Sequence, residues 1–511
     1  MTAGDISSKR DVIPRWRSVR RTIAAGEFRK LSHRRPLSDE FLKSLSRAER
    51  RWSEEGSQIA ASELVGVSML AGEGYVVPDA EQFLSREGIT PQLRRLGRRS
   101  LRNDNDEKVT VQTASNQRTV IDQIRQRIRE EKPRLIADPR NAIAWSDLAR
   151  RYTMLGQLDK AERALKTALH MAPTSRYLHR VATWFYVHAD RADEAYRLLG
   201  NFSRTQEDPW LMSAFIAVAN VGELKVQGIK AARRLLESGE FSPRETSELV
   251  SELATITLNG GGDRRARKLF EQSLESPTDN SLAQVEWASH QLTQLEVDPE
   301  EADVPFKSEA MALSATQEGD WEGARRYSSE WLDDQPFETR AAVHASYIAS
   351  VGLEDWRDAI SYADIGLRAR PGHPMLTNNL AYALIEDGQL ERATQVLGGL
   401  DLSDYGGGDL IAILATMGLL AFRSGNSVEG ESLYRRSIEL ARRDRNARQE
   451  AIARAMLLRE VIELGREGMT LESELRLLHE LLPAVRDNKG VLLVIRRAIL
   501  PISEQFGPID A

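Results

Sequence analysis

Apolar residues recur along this chain with the spacing of amphipathic helices, most clearly between Asn141 and Pro173. Four of them form the stripe of a first predicted helix: Trp145, Leu148, Ala149 and Tyr152. Four more form the stripe of a second: Ala161, Leu165, Ala168 and Ala172. Gly156 lies between the stripes, where glycine accepts a left-handed turn at low cost, and Pro173 ends the pair. This stretch therefore predicts a helical hairpin.

The same pattern returns at intervals of about 34 residues, the length of one helical hairpin in an array of repeats. Ala324, Ala359 and Ala393 are 35 and 34 residues apart, and each follows a glycine that marks a turn. The pattern is weak at 200–240 and at 281–304. In the latter, the acidic segment from Leu292 to Phe306 contains two prolines and predicts a loop. Such a period predicts hairpins that each pack on their neighbours.

These units resemble tetratricopeptide repeats, in which an aromatic, leucine, a small residue, tyrosine, glycine, alanines and proline occur at fixed spacing. The resemblance covers roughly residues 119–465 and implies an all-α fold, a right-handed α-solenoid. We expect an arginine-rich, mainly helical N-terminal region before the repeats and C-terminal capping helices after them, since a solenoid must cover its last apolar face.

The expected domain boundaries follow from these patterns. They are 1–118 for the basic N-terminal region, with a polar linker at 100–118; 119–291 for a first block of repeats; 292–306 for the acidic loop; 307–465 for a second block; and 466–511 for the capping helices.

Composition narrows the chemistry. The chain has no cysteine, so thiolate catalysis, disulfides and cysteine-bound zinc are excluded. We find no phosphate-binding loop, no H-E-x-x-H helix and no nucleophile elbow. We therefore expect no enzyme activity, no cofactor and no metal. The first residues lack the apolar core of a signal peptide and no apolar run is long enough to span a bilayer, so we expect a soluble, cytoplasmic protein.

Charge is distributed unevenly along the chain. Residues 1–132 contain 26 Lys or Arg and 19 Asp or Glu, whereas the remainder contains 44 and 57. The basic candidates for partner binding are Arg15, Trp16, Arg17, Arg20, Arg21, Arg29, Lys30, Arg34 and Arg35. They could contact nucleic-acid phosphates, with Trp16 stacking on a base. Alternatively they dock on acidic surface of the protein itself or of a partner, since arginine pairs well with carboxylates; we favour this second interpretation.

The resemblance also implies a concave groove lined by the first helix of each hairpin. Residues placed there are Arg150, Thr153, Arg180, Trp184, Asn378, Tyr382 and Ile385. Two arginines and a tryptophan on adjacent repeats suit an acidic or aromatic peptide, although Trp184 is equally compatible with a core position.

The sequence thus predicts a non-catalytic scaffold or adaptor that binds one or more proteins or peptides through the groove and the basic region, within a multiprotein complex. Two alternatives stay open. One is a regulatory subunit that senses a peptide. The other is a nucleic-acid-associated subunit of a larger complex, whose binding would weaken steeply with salt.

Overall fold

The computed structural model describes residues 10–18, 39–71, 77–84, 86, 89, 117–292, 294–465 and 469–502. The chain divides into two compact units. The front unit is Arg17–Val109, and the repeat unit combines Met1–Trp16 with Thr110–Ala511. The basic candidates Arg20, Arg21, Arg29, Lys30, Arg34 and Arg35 and the predicted linker up to residue 116 lie outside the described residues.

The front unit contains three helices in its described part: α1 (Asp39–Glu55), α2 (Gln58–Ala71) and α3 (Pro78–Leu84). The N-terminus of α2 is fixed by Ser57, whose hydroxyl accepts a hydrogen bond from the backbone N–H of Ala60 at 3.1 Å. The helices bury a small apolar cluster that includes Leu45, Leu64 and Leu84.

The repeat unit consists of helices joined by short turns. They are α4 (Gln117–Ala137), α5 (Ala142–Met154), α6 (Leu158–Met171), α7 (Arg176–His188), α8 (Ala192–Gly200), α9 (Pro209–Val221), α10 (Ile229–Glu237), α11 (Pro243–Asn259), α12 (Asp263–Ser273), α13 (Asp279–Ser289), α14 (Ser308–Glu318), α15 (Trp321–Asp334), α16 (Thr339–Tyr347), α17 (Trp356–Ala369), α18 (Pro374–Glu386), α19 (Leu390–Gly398), α20 (Gly407–Arg423), α21 (Ser427–Arg443), α22 (Ala447–Glu463), α23 (Met469–Val485) and α24 (Lys489–Ile499).

The hairpin predicted from Asn141 to Pro173 shows how the sequence forms each repeat. The side chain of Asn141 accepts from the backbone N–H of Ala144 at 3.0 Å and caps α5. Gly156 adopts a φ of 66° in the turn, and α6 then returns along α5. Ala161, Ala164 and Ala168 are buried, and their small side chains let the two helices approach closely. Among the described residues, the predicted all-α array of helical hairpins is confirmed.

Successive helices pair from α5–α6 to α11–α12 and again from α14–α15 to α22–α23. The weakly matching stretch at 200–240 still forms a hairpin, α9–α10, with a longer turn. Helix α13 has no such partner before α14: the described residues of 290–307 form a loop in its place. One apolar cluster nevertheless extends from Ala254 in α11 to Ile499 in α24, so packing is continuous past this loop.

The chain end covers the array and also contacts earlier repeats. Helices α23 and α24 pack against α22. The guanidinium of Arg497 in α24 donates to the carbonyl of Gly352, at 3.0 Å, near the end of a π-helical turn after α16. The last described helix therefore binds back onto the second half of the repeats.

The alanines buried between paired helices should be sensitive to substitution by a larger residue. Ala161→Leu and Ala393→Leu should each lower the free energy of unfolding by about 1–3 kcal/mol, since both alanines are fully buried and the added atoms overpack the contact. The matched control is Lys166→Leu, at an exposed position of α6, with an expected change within about 0.5 kcal/mol. Urea unfolding of the three variants measures this, and equal effects would place these alanines outside close helix contacts.

The burial of His344 predicts how the free energy of unfolding depends on pH. His344 in α16 lies against the hydroxyl of Ser328, 2.7 Å away, and burial lowers its pKa to about 3. The lowered pKa means that the folded protein keeps His344 neutral, whereas the unfolded chain protonates it below about pH 6.5. The free energy of unfolding therefore falls as the pH decreases below about 6.5. By pH 5 the loss should be about 2 kcal/mol.

Replacing this histidine isolates its contribution. In His344→Gln, the drop in unfolding free energy between pH 7 and pH 5 should be smaller than in the unmodified chain by about 2 kcal/mol. Val428→Gln, at a side chain that is 77% exposed and does not titrate, should leave the drop unchanged. If His344→Gln loses as much unfolding free energy between pH 7 and pH 5 as the unmodified chain, His344 does not take up a proton on unfolding.

Candidate peptide-binding site

Residues Arg10–Trp16, here called the docked segment, lie inside the repeat unit and form neither helix nor strand. The surface that holds them is here called the segment site. It is formed by α7, α9, α11, α13 and α14 and by the turn before α16. Its residues are Trp184 in α7, Asn220 in α9, Glu252 in α11, Asp279, Asn280 and Gln284 in α13, Glu309 in α14, and Phe337 before α16. Helices α7, α9 and α11 are each the first helix of a hairpin.

Three side chains of the segment site bind the main chain of the docked segment. The carboxylate of Glu252 accepts from the N–H of Val12 at 2.9 Å. The amide of Gln284 donates to the carbonyl of Arg10 at 2.5 Å, and the amide of Asn280 donates to the carbonyl of Ile13 at 2.9 Å. Because these contacts satisfy backbone groups, they would hold a non-helical peptide largely independently of its side chains.

Charge fixes the two arginines of the docked segment. Arg10 is 2% exposed and donates to both carboxylate oxygens of Glu309, at 3.0 and 2.9 Å. Arg15 also pairs with Glu309 and lies 3.5 Å from a carboxylate oxygen of Asp279. Arg340 of the array approaches Glu309 at 3.3 Å. Three guanidinium groups thus converge on one buried carboxylate, and planar two-point pairing of this kind is the strongest arginine contact.

The aromatic end of the docked segment is fully enclosed. Trp16 has no exposed surface, and its ring lies 5.7 Å from that of Trp184 and 5.8 Å from that of Phe337, centroid to centroid. The rings of Trp184 and Phe337 meet edge to face at 4.6 Å. Packing of this kind contributes through buried area and through ring geometry.

Burial changes the pKa of several groups in the segment site. It lowers the pKa of Arg10 to about 10 and that of Arg340 to about 9, because removal from water disfavours the charged form. Burial raises the pKa of Glu252, and the nearby Asp11 carboxylate raises it further. The N–H of Val12 and the charge of Arg10 oppose that shift, so groups of the docked segment act on the pKa of Glu252 in both directions.

The site is closed on one side by contacts between distant repeats. The indole N–H of Trp184 donates to Glu338 at 3.2 Å, and Arg150 donates to the carbonyl of Asp334 at 3.3 Å. Further along, Arg370 donates to the carbonyl of His188 at 2.9 Å. Helices α5 and α7 therefore contact the chain between α15 and α18, which brings Phe337 beside Trp184.

The seven groove residues expected from the sequence are all buried or half-buried. Trp184 contacts the docked segment, and Arg150 lies over the ring of Phe337. Arg180 pairs with Glu248 at 2.8 Å. The other four pack within the array: Thr153, Asn378, Tyr382 and Ile385. Asn378, for example, accepts from the hydroxyl of Thr416 at 2.8 Å.

The basic candidates that the structure describes are Arg15, Trp16 and Arg17. Arg15 and Trp16 occupy the segment site, and Arg17 is buried. Arg10, Asp11 and Val12 were not among the predicted residues, nor were the carboxylates and amides that hold them. A signal was present in the sequence: α11 and α13 carry polar residues four positions apart, Glu248 with Glu252 and Asn280 with Gln284, which places each pair on one helix face.

Within the described ranges, no group of three or more metal-binding side chains occurs. Nor does any helix in the part of the chain that the structure describes have the length and apolar character needed to cross a membrane.

Comparison with known proteins identifies no family. No protein-family model matches the chain, and no curated protein matches it. Among solved structures, it is similar to the APC/C hetero-tetramer Cut9–Hcn1, at 15% identity over 94% of this chain and 93% of that chain, with a TM-score of 0.44. It is also similar to a human IFIT1 dimer with PPP-AAAA, at 13% identity over 94% and 99%, with a TM-score of 0.32.

A third similar structure is yeast Tom70, at 12% identity over 96% of this chain and 97% of that chain, with a TM-score of 0.28. All three similarities are weak. The description of the fold therefore rests on the helices and turns of this chain.

Proposed function

We propose that this protein is a non-catalytic scaffold or adaptor that binds protein partners through the first helices of its repeats and through its basic N-terminal region. In this proposal it acts in the cytoplasm, as part of a multiprotein complex. One observation carries it. The segment site holds a seven-residue stretch of polypeptide by main-chain hydrogen bonds, buried ion pairs and an aromatic pocket together. Such a combination binds peptide with both affinity and selectivity.

The environment of the described basic residues supports protein contact over nucleic-acid contact. Arg10 and Arg15 pair with Glu309, and Trp16 is enclosed by aromatic side chains. These groups are engaged by carboxylates and rings of the array, so phosphates and bases would have to displace them. The remaining basic candidates, Arg20, Arg21, Arg34 and Arg35 among them, keep the role of a second contact surface in this proposal.

The test compares two tagged full-length baits in lysate of the source cells at low salt. One is the unmodified chain, and the other reverses charge at Arg20, Arg21, Arg34 and Arg35 by substitution with Glu. We expect at least one protein to be retained near stoichiometry by the first bait and to be lost from the second. A monodisperse protein that retains no partner would contradict the scaffold role.

The same two proteins distinguish the nucleic-acid alternative. Labelled RNA and DNA are titrated at 50 and 200 mM salt, a range over which phosphate contacts lose affinity by orders of magnitude. The proposal expects no saturable binding by either protein. Binding that falls steeply with salt and disappears on charge reversal would favour the nucleic-acid-associated subunit instead.

A further inference from the structure

The segment site contacts both the main chain and the side chains of its occupant, and Asn280 and Gln284 do both, since their amide oxygens also accept from the guanidinium of Arg10, at 3.0 and 2.5 Å. Glu252, Asn280 and Gln284 satisfy backbone groups of residues 10–13. Glu309 and Asp279 receive the arginines, and the pocket of Trp184 and Phe337 receives the tryptophan. Main-chain contacts supply affinity for any non-helical peptide, whereas the pockets select particular side chains. The site therefore has the features of a sequence-selective peptide receptor.

Building on the proposed scaffold role, we propose that the segment site binds a partner protein through a peptide with arginine, four further residues and then an Arg–Trp pair. Residues 10–16 of the chain itself occupy the site in cis and compete with that peptide. The partner peptide displaces the docked segment, which makes the segment a built-in competitor that sets the affinity for the partner.

The charges in the site define the chemistry of the ligand. Asp279, Glu309 and Glu252 are all at least 94% buried, and each contacts the docked segment. Removal of the segment would take away the guanidinium groups that pair with Glu309 and Asp279, and breaking a buried ion pair by removing one partner is strongly unfavourable. An incoming ligand must therefore bring cations as well as an aromatic side chain. We therefore propose for this site a cationic peptide with an aromatic side chain, in place of the acidic or aromatic peptide that the sequence suggests for Arg150, Arg180 and Trp184.

Tethering explains why the cis segment is an effective competitor. A ligand joined to its receptor acts at an effective concentration that is set by the tether, here residues 17–116, and does not depend on the protein concentration. A free peptide with the same contacts then competes poorly until the tethered copy is weakened. The affinity of the unmodified chain for such a peptide should consequently be low.

The experiment uses a fluorescein-labelled peptide with the sequence of residues 8–18, SKRDVIPRWRS, and measures its fluorescence anisotropy. It compares the unmodified full-length chain with the full-length variant Arg10→Ala, Arg15→Ala, Trp16→Ala. We expect the variant to bind the peptide at least tenfold more tightly, because its own segment no longer competes. A scrambled peptide of the same composition should bind the variant at least tenfold more weakly than the native sequence, because it keeps the main-chain contacts and loses the matched side-chain pockets.

Single changes in the site provide matched controls. Added to the triple variant, Glu309→Gln should weaken peptide binding at least tenfold, since both peptide arginines pair with this carboxylate. Glu391→Gln, at an exposed position of α19, should have no effect. Equal affinity of the two chains, equal binding of the scrambled peptide, or insensitivity to Glu309→Gln would each overturn the proposal.

A second measurement avoids dependence on the triple variant, whose helical content is first checked by circular dichroism. Hydrogen exchange of residues 10–16 is followed in the unmodified chain with millimolar unlabelled peptide. Exchange at Val12 should accelerate as its N–H leaves Glu252, and unchanged exchange at saturating peptide would overturn displacement.

Light scattering of the unmodified chain should give a monomer. A dimer that exchanges segments between copies would overturn the proposal that a partner protein is the ligand.

The outcomes also separate this inference from the scaffold role. The peptide assay contains no partner protein, so its failure alongside successful partner capture would overturn the ligand assignment alone. Successful peptide binding without any captured partner would instead count against the scaffold role.

Discussion

Trp16→Ala should lower the free energy of unfolding by about 3–5 kcal/mol, as large-to-small changes of buried tryptophan do. The indole has no exposed surface and is packed between the rings of Trp184 and Phe337. No regular secondary structure holds this residue in place, so the effect would come entirely from its contacts with the repeats. The loss is limited to the free energy with which the docked segment binds, because a weakened segment can leave the site altogether.

Because the docked segment can leave the site only once, the effects of two substitutions within it should not add. Arg10→Ala also weakens the docked segment, since it removes the paired hydrogen bonds to Glu309. The double variant with Trp16→Ala should therefore destabilise by less than the sum of the single variants, by about 1–3 kcal/mol. Trp356→Ala provides the control: this tryptophan packs beside Tyr382, away from the segment, and its effect should add to that of Arg10→Ala.

Urea unfolding of the unmodified chain, the three single variants and the two double variants measures these values. A Trp16→Ala effect below about 0.5 kcal/mol, as is usual for surface substitutions, would mean that Trp16 is not enclosed. Strict additivity of Trp16→Ala with Arg10→Ala would mean that the two residues do not bind as one unit.

The second large effect is expected for Gly156→Ala, in the turn between α5 and α6. Gly156 has a φ of 66°, and a Cβ atom there would lie 2.3 Å from the carbonyl oxygen of Arg368 at the end of α17. The substitution therefore adds backbone strain of about 1–2 kcal/mol and an overlap with distant backbone worth about 1–3 kcal/mol. We expect a total loss of about 2–5 kcal/mol.

Gly388 is the matched control for this substitution. It occupies the corresponding turn between α18 and α19 with a φ of 77°, and a Cβ there would meet nothing within 4 Å. Gly388→Ala should cost only the backbone strain. Thermal and urea unfolding compare the two variants, and equal losses would argue that the first hairpin does not contact α17. This comparison isolates the contact between repeats that encloses the segment site.

The sequence predicted the hairpins because their determinants are local. Gly156 in the turn, buried Ala161 and capping Asn141 act within about 20 residues of one another. Individual positions were less predictable. Ile59 in α2 is apolar and nevertheless 65% exposed, since one apolar residue can be left in water at small cost.

The segment site could not be predicted in the same way. Arg10 and Glu309 are separated by 299 residues, and no spacing rule connects them. Asn220, Asn280 and Gln284, which bind the docked segment, lie on α9 and α13, in or next to the two stretches where the repeat pattern is weak. The charge contrast between the basic front and the acidic repeats and the polar pairs on α11 and α13 were the signals that pointed to this contact.

The most direct test of the account is a crosslink between the docked segment and the repeats. The chain has no native cysteine, so Asp11→Cys with Asn220→Cys introduces a single thiol pair where the Asn220 amide now donates to the Asp11 carboxylate. A control pairs Asp11→Cys with Val428→Cys, at a side chain that is 77% exposed. With a short thiol crosslinker, we predict an intramolecular product in the first variant and none in the control, identified by mass spectrometry of the joined peptides. Absence of that product, or joining of two separate chains, would contradict a repeat array that holds its own N-terminal segment.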